Sequence, residues 1–149
     1  MNCADQDLMQ TVRKVFYNGG LNCAETTMRV LIERGVVEDN DGLRRMMSGF
    51  GGGMQRGLVC GAVTASVAAI GLKTGRINPD EPRELSAQAV AAFLQAFEAR
   101  YGALECRELS RDYTSKSAEM YQYCADIVAG AAEMAACILN ELQNESESG

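Results

Sequence analysis

The sequence predicts an all-α fold: a single-domain bundle of about five helices packed around a central helix of small residues. Three observations predict it. Apolar residues recur at helical spacing in several segments. No run alternates apolar and polar residues as a half-buried strand does. Proline occupies only two of 149 positions, while alanine is abundant. The length suits one domain, since domains cluster at about 100–150 residues, and a hydrophobic fraction of 47% supplies a core. The expected organisation is one helical domain over 1–142 and a solvated acidic tail over 143–149.

Taken in order, the first helix is expected from Asp5 to Tyr17, with Leu8, Val12, Val15 and Phe16 as its stripe and Asn18-Gly19-Gly20 as its stop. Asn22 reads as the N-cap of the second, with Glu25 three residues on closing a capping box. That helix turns Ala24, Met28, Leu31 and Ile32 inward and ends at Gly35. Gly42 to Ser48 suits a helical turn or two. The uncharged run Gly57–Leu72 reads as the central helix, and its Gly61, Ala62, Ala65, Ser66, Ala68 and Ala69 let neighbours approach closely. A polar loop over Lys73–Pro82 carries both prolines. Arg83 to Tyr101 is amphipathic, with Leu85, Ala89, Phe93, Ala96 and Phe97 on one face and Gly102 as cap. The last helix is expected from just after Thr114 or Ser115 to about Leu142. No repeat of 20–50 residues is present, which argues against a solenoid.

Net charge is −6, so nucleic acid and anionic membrane surfaces are poor partners. The N-terminus shows neither the basic segment nor the apolar segment of a signal peptide. Gly57–Leu72 is sixteen residues, short of the roughly 20 that a spanning helix needs. The expectation is a cytoplasmic protein without a membrane span. Thiols stay reduced there, which favours a metal or redox role over a disulfide framework.

Six cysteines and no histidine narrow the chemistry. A Ser-His-Asp triad, a Cys-His protease pair, a Rieske centre and His-ligated haem or zinc are all excluded. Cys23 falls at the first helical position after the Asn22 cap, where free amides and the helix dipole favour a thiolate. Cys60 lies near the start of the central helix, beside Gly61. Cys106 follows the Gly102 cap and precedes Arg107. At about 100° per residue, Cys124 shares a face with Met120, Ile127, Val128, Ala131, Ala135, Ile138 and Leu142 and so points into the core. Cys137 falls about 140° off that face, and Cys3 sits in a terminus expected to fray. Four candidate ligands thus separate from two bystanders. There is no C-x-x-C and no ferredoxin run, so only the fold can bring the four together. Gly49-Phe50-Gly51-Gly52-Gly53 is no phosphate loop: Leu58-Val59 stand where Walker spacing requires Lys and Ser/Thr. A close backbone approach to a helix or cofactor suits it better.

These residues together resemble the redox-active family named for its Cys…Cys-Gly-Ala-x-x-Gly…Cys…Cys pattern. The matching pieces are Gly20-Leu21-Asn22-Cys23-Ala24-Glu25, Gly49 through Met54, Cys60-Gly61-Ala62-Val63-Thr64, Phe97 through Gly102 to Cys106-Arg107-Glu108-Leu109, and Cys124. One position departs: the glycine closing the Cys-Gly-Ala-x-x-Gly motif is Ala65 here, one methyl larger. The resemblance implies a small helical protein whose Cys23, Cys60, Cys106 and Cys124 are redox-active or cluster-binding. It also implies a redox partner protein, an oxidoreductase or a transporter-associated one, and leaves homo-oligomer assembly open. The leading expectation is an iron–sulfur cluster, most simply [2Fe–2S], held by those four cysteines for electron transfer. The alternatives are metal-free dithiol/disulfide cycling with Cys23 as the attacking thiolate, structural zinc in a module without turnover, and inert buried thiols.

Overall fold

The computed structural model describes residues 6–16 and 20–148. These form seven α-helices and no β-strand, so the all-α expectation holds. Five helices are long: α1 (Gln6–Phe16), α2 (Cys23–Glu33), α4 (Gly61–Thr74), α5 (Glu84–Tyr101) and α7 (Ala118–Ser148). Two are short, α3 (Asp41–Met46) and α6 (Cys106–Leu109). Cys3, and the expected ends of the first helix at Asp5, Tyr17 and Asn18-Gly19, lie outside the described residues.

Local sequence explains the helix starts. Asn22 Oδ1 accepts the Glu25 amide at 2.8 Å, and the Asn22 amide donates to Glu25 Oε1 at 2.9 Å. This is the reciprocal capping box that satisfies two orphan donors of α2. Glu25 Oε2 also accepts the Ser48 hydroxyl at 2.9 Å, which ties the 3₁₀ turn Met47–Phe50 to the same helix end. Asn22→Ala is therefore expected to cost about 1 kcal/mol, read as a lower thermal midpoint with unchanged helix content by circular dichroism. Asn40 caps α3 through its side chain alone, accepting the Leu43 amide.

The central helix begins later than the uncharged run suggests. Gly57 has φ +71°, and Val59 pairs with Glu105 in an isolated antiparallel bridge, so 57–60 lead into α4 instead of belonging to it. α4 packs against α2, α5 and α7, and α7 also contacts α1 and α2. Ala62, Ala65, Ala69 and Ile70 of α4 are fully buried, and the small side chains allow that close approach on several sides. The extra methyl at Ala65 is accommodated, with no exposure at all. Phe93, Phe97, Met28, Leu31 and Met47 are the largest side chains sealed in the core.

Two helices differ from the expected pattern. On α5, Ala89, Phe93 and Phe97 are buried as predicted, but Leu85 and Ala96 are exposed. The buried stripe centres near Phe97, about 120° from Leu85 and about 100° from Ala96, so both fall beyond its edge. α7 continues past Leu142 to Ser148, since neither glycine nor proline interrupts it before Gly149. Its segment Ala118–Glu145 is long and apolar enough to cross a membrane by length and composition alone, with mean hydropathy 1.2 and 44% of the apolar stretch buried inside the bundle. The sequence reading, which weighed only Gly57–Leu72, did not single out this helix.

Candidate functional site: four cysteines around converging helix ends

Three of the four expected cysteines sit at helix N-termini. Cys23 opens α2, Cys60 is the N-cap of α4, and Cys106 opens α6. The link between the last two is a backbone device. The Cys60 amide donates to the Leu104 carbonyl at 2.8 Å, and the Cys106 amide donates to the Leu58 carbonyl at 2.6 Å. These bonds flank the Val59–Glu105 bridge, so Cys60 and Cys106 project from the same face of this short ribbon. Cys23 is brought against the start of α4 by Gly61: a Cβ built there would stand 2.7 Å from Cys23 Sγ and 3.0 Å from the Ala24 amide nitrogen. Only glycine admits that approach.

Cys23 and Cys60 form the inner pair. The Cys60 thiol donates toward the Cys23 sulfur, and that bond is the main reason the Cys23 pKa falls to about 6. Burial opposes the shift, while the amides of Gly52, Gly61 and Ala24 support it. Cys60 moves the opposite way, held well above the ordinary thiol value by its bond to Cys23, by burial and by the Cys23 charge. One proton thus stays on Cys60 while Cys23 carries the negative charge, as expected of a coupled pair. All four cysteines are free thiols, with Cys60 buried and the other three half-buried.

Cys106 and Cys124 flank the pair. Burial raises Cys106, and the Cys23 charge raises it further. Burial pushes Cys124 up to about 12, aided by the charges of Cys23 and Cys106. Both therefore lie within the electrostatic reach of Cys23. Arg107 does not activate Cys106: its Nε donates to the Gly57 carbonyl at 3.3 Å and lies 3.5 Å from Glu105. Among the described residues, no three Cys, Asp or Glu side chains are gathered closely enough to hold a metal ion. The donor set suits a soft metal, while the electrostatics single out one coupled thiol pair with two thiols that feel its charge. Cys137 is not among the free thiols: it is disulfide-bonded.

A model of the family described as "Putative redox-active protein (C_GCAxxG_C_C)" matches residues 21–138, which span all four cysteines. The chain belongs to this family. A further relative, an uncharacterised protein of Archaeoglobus fulgidus, is 29% identical over 122 residues, covering 76% of this chain and 81% of its own. No solved structure matches. Membership in the redox-active family places the converging thiols at the centre of interest. A surface groove of about 720 Å³ lies elsewhere: it opens where α2 and α4 end, beside Arg34, Lys73 and Leu139, and no cysteine lines it.

Two neighbours of the site were not read from the sequence. Tyr113 and Tyr123 stack with ring centroids 4.8 Å apart and planes at 18°. Tyr123 is raised first by burial, then by Tyr113, Cys124 and Cys60, which puts the stack beside the thiols. Its one available signal was adjacency to Cys124. The other is the conformation of residues 52–57. The glycine cluster had suggested a close backbone approach, and the Gly52 amide does reach Cys23. Met54 and Gln55, however, also adopt the left-handed conformation, which their residue types disfavour.

Proposed function

We propose that this protein is a thiol–disulfide redox protein in which Cys23 attacks and Cys60 resolves. The observation that carries this reading is the shared proton of the inner pair: Cys60 donates to Cys23, which titrates near 6, while Cys60 stays protonated. At neutral pH Cys23 is thus a ready nucleophile. Its thiolate attacks one sulfur of a partner disulfide, a Cys23–partner mixed disulfide forms, and the partner's other sulfur leaves as a thiolate. Cys23 is then neutral, so both the hydrogen bond and the charge that held the Cys60 proton are gone. Cys60 ionises, attacks Cys23 and expels the second partner thiolate. Two protein thiols become one disulfide, and the partner disulfide becomes two thiols. The partner is a protein of the oxidoreductase or transporter-associated kind.

The test is oxidation of the reduced protein with oxidised glutathione, followed by non-reducing peptide mapping. A Cys23–Cys60 disulfide is expected, with Cys60→Ser accumulating glutathione on Cys23. A disulfide confined to other cysteines, or none at all, would overturn the reading.

The soft four-thiol donor set supports a second reading. Cys23, Cys60, Cys106 and Cys124 would hold a [2Fe–2S] cluster, which supplies one-electron transfer when bound, or structural zinc. Either requires Cys106 and Cys124 to close on the inner pair. Iron, sulfide and zinc analysis of anaerobically purified protein decides between these: stoichiometric iron and sulfide favour the cluster, zinc the structural site, and absence of all three the dithiol.

A further inference from the structure

The loop between α4 and α5 holds its own shape. Asn78, Pro79, Asp80 and Glu81 form a turn in which the Glu81 amide donates to the Asn78 carbonyl at 3.2 Å, with proline at the position that favours it. Arg76 Nη1 donates to the Pro79 carbonyl at 2.8 Å and to the Glu81 carbonyl at 3.1 Å. The Glu81 carboxylate in turn accepts the Ile77 amide at 3.3 Å and the Asn78 side-chain amide at 2.8 Å. All five bonds stay within residues 76–81. What they hold outward is Ile77, 94% exposed. A lone exposed apolar side chain is ordinary on a surface. One carried on a bonded loop has already lost much of the backbone freedom that binding would cost.

The groove of about 720 Å³ begins at the foot of this loop. Lys73 and Thr74 in the last turn of α4 and Leu85 in the first turn of α5 all line it. Its floor is apolar, with Val30 and Leu31 1% and Ala132 2% exposed, and Leu139 and Leu142 of α7 add half-buried apolar surface. The rim carries Arg34 and Lys73 against one acid, Glu133. The loop tip carries Asp80 and Glu81 close to Ile77, while Arg76 is turned onto the loop's own carbonyls. Knob and hole are therefore complementary in polarity and in charge, and they stand side by side on one chain. We propose that a second copy of this chain docks here, each copy seating Ile77 in the other's groove. An adjacent knob and hole exchange reciprocally about a two-fold axis, which closes the contact at a dimer and leaves no open end. Burial of Ile77 and of Leu85, which is 49% exposed in the single chain, supplies the hydrophobic gain. The opposed acidic tip and basic rim fix the orientation. The inference is independent of the thiol–disulfide reading, since no cysteine lines the groove.

Sedimentation velocity of the full chain across about 1–300 µM, the range suited to a small interface, tests this, with non-reducing gels to exclude a covalent dimer. A reversible dimer is expected. Ile77→Asp puts a charge into an apolar hole and should raise the dimer dissociation constant about thirtyfold or more, as loss of a central anchor does. Because Ile77 is 94% exposed, the variant should keep the wild-type thermal midpoint at concentrations where both are monomeric. Ile77→Leu keeps the knob and should pair as wild type does. A photo-crosslinking benzoylphenylalanine in place of Ile77, in mixed light and heavy isotope samples, should join Leu85, Leu139 or Leu142 of the other copy. A chain that stays monomeric throughout overturns the proposal, as does a dimer that Ile77→Asp leaves unchanged or a crosslink that falls outside the groove. A monomer whose groove holds a co-purified amphiphile in native mass spectra overturns it as well.

Discussion

Cys60→Ala raises the pH midpoint of Cys23 alkylation from about 6 toward the ordinary thiol value of 9.0. The Cys60 hydrogen bond is the largest cause of the depression, and burial, which raises the value, remains after the substitution. The amides of Gly52, Gly61 and Ala24 also remain, so the return is partial. The sign follows from the acidic character of a thiol: the reactive thiolate appears as pH rises through the midpoint. The midpoint is the quantity to measure, because rate alone misleads. At pH 7 a thiol titrating near 6 is about nine-tenths ionised and one near 9 only about one-hundredth. A thiolate of lower pKa is also less nucleophilic, by about twentyfold over three units. A complete return to 9 would therefore slow alkylation only about fourfold at pH 7, but about twentyfold at pH 6. Iodoacetamide kinetics between pH 5 and 9, with Cys23 followed by mass spectrometry, would show the curve moving by more than one unit. Cys60→Ser keeps a donor and should move it less. A wild-type midpoint in Cys60→Ala would mean that the amides alone hold the thiolate.

Gly61→Ala is expected to destabilise the fold and disturb the inner pair together. The new methyl would lie 2.7 Å from Cys23 Sγ, 2.9 Å from the Phe50 carbonyl oxygen and 3.0 Å from the Ala24 nitrogen. Two of these three are backbone atoms, which cannot swing aside as a side-chain end can. Relief requires α2 and α4 to separate, and overpacking of this kind costs about 1–3 kcal/mol. The higher helix propensity of alanine offsets less than about 1 kcal/mol at the first position of a helix. A fall in thermal midpoint of roughly 2–10 °C follows for a domain of this size. Because the shift pushes Cys23 away from Cys60, the Cys23 alkylation midpoint should rise in the same variant. Gly71→Ala on the same helix is the control: no atom lies within 4 Å of its added methyl, so it should be neutral or stabilising. A Gly61→Ala protein as stable as wild type, with the midpoint unmoved, would show that the α2–α4 contact is not what positions Cys23.

Much of the helical framework was legible because helix signals are local. Asn22 and Glu25 are three residues apart, and their capping box is written in the chain. The stripe of α5 was legible in Ala89, Phe93 and Phe97. Its width was not, because the exposure of Leu85 and Ala96 depends on where the neighbouring helices stop. The end of α7 was missed because a polar composition after Leu142 was read as a tail, although nothing there breaks a helix.

By itself the sequence determined an all-α chain, the exclusion of histidine chemistry, and the position of Cys23 at a helix start. It also separated Cys23, Cys60, Cys106 and Cys124 from Cys3 and Cys137, though not that Cys137 is disulfide-bonded. Only the tertiary structure decided that Cys23 pairs with Cys60 while Cys106 and Cys124 stand around them. That pairing depends on contacts between distant segments: Gly61 against Cys23, Leu58 and Cys60 against Leu104 and Cys106, and the Gly52 amide over the sulfur. Only the tertiary structure decided, too, the left-handed backbone at Met54 and Gln55, which local propensity opposes and only the surrounding contacts can hold.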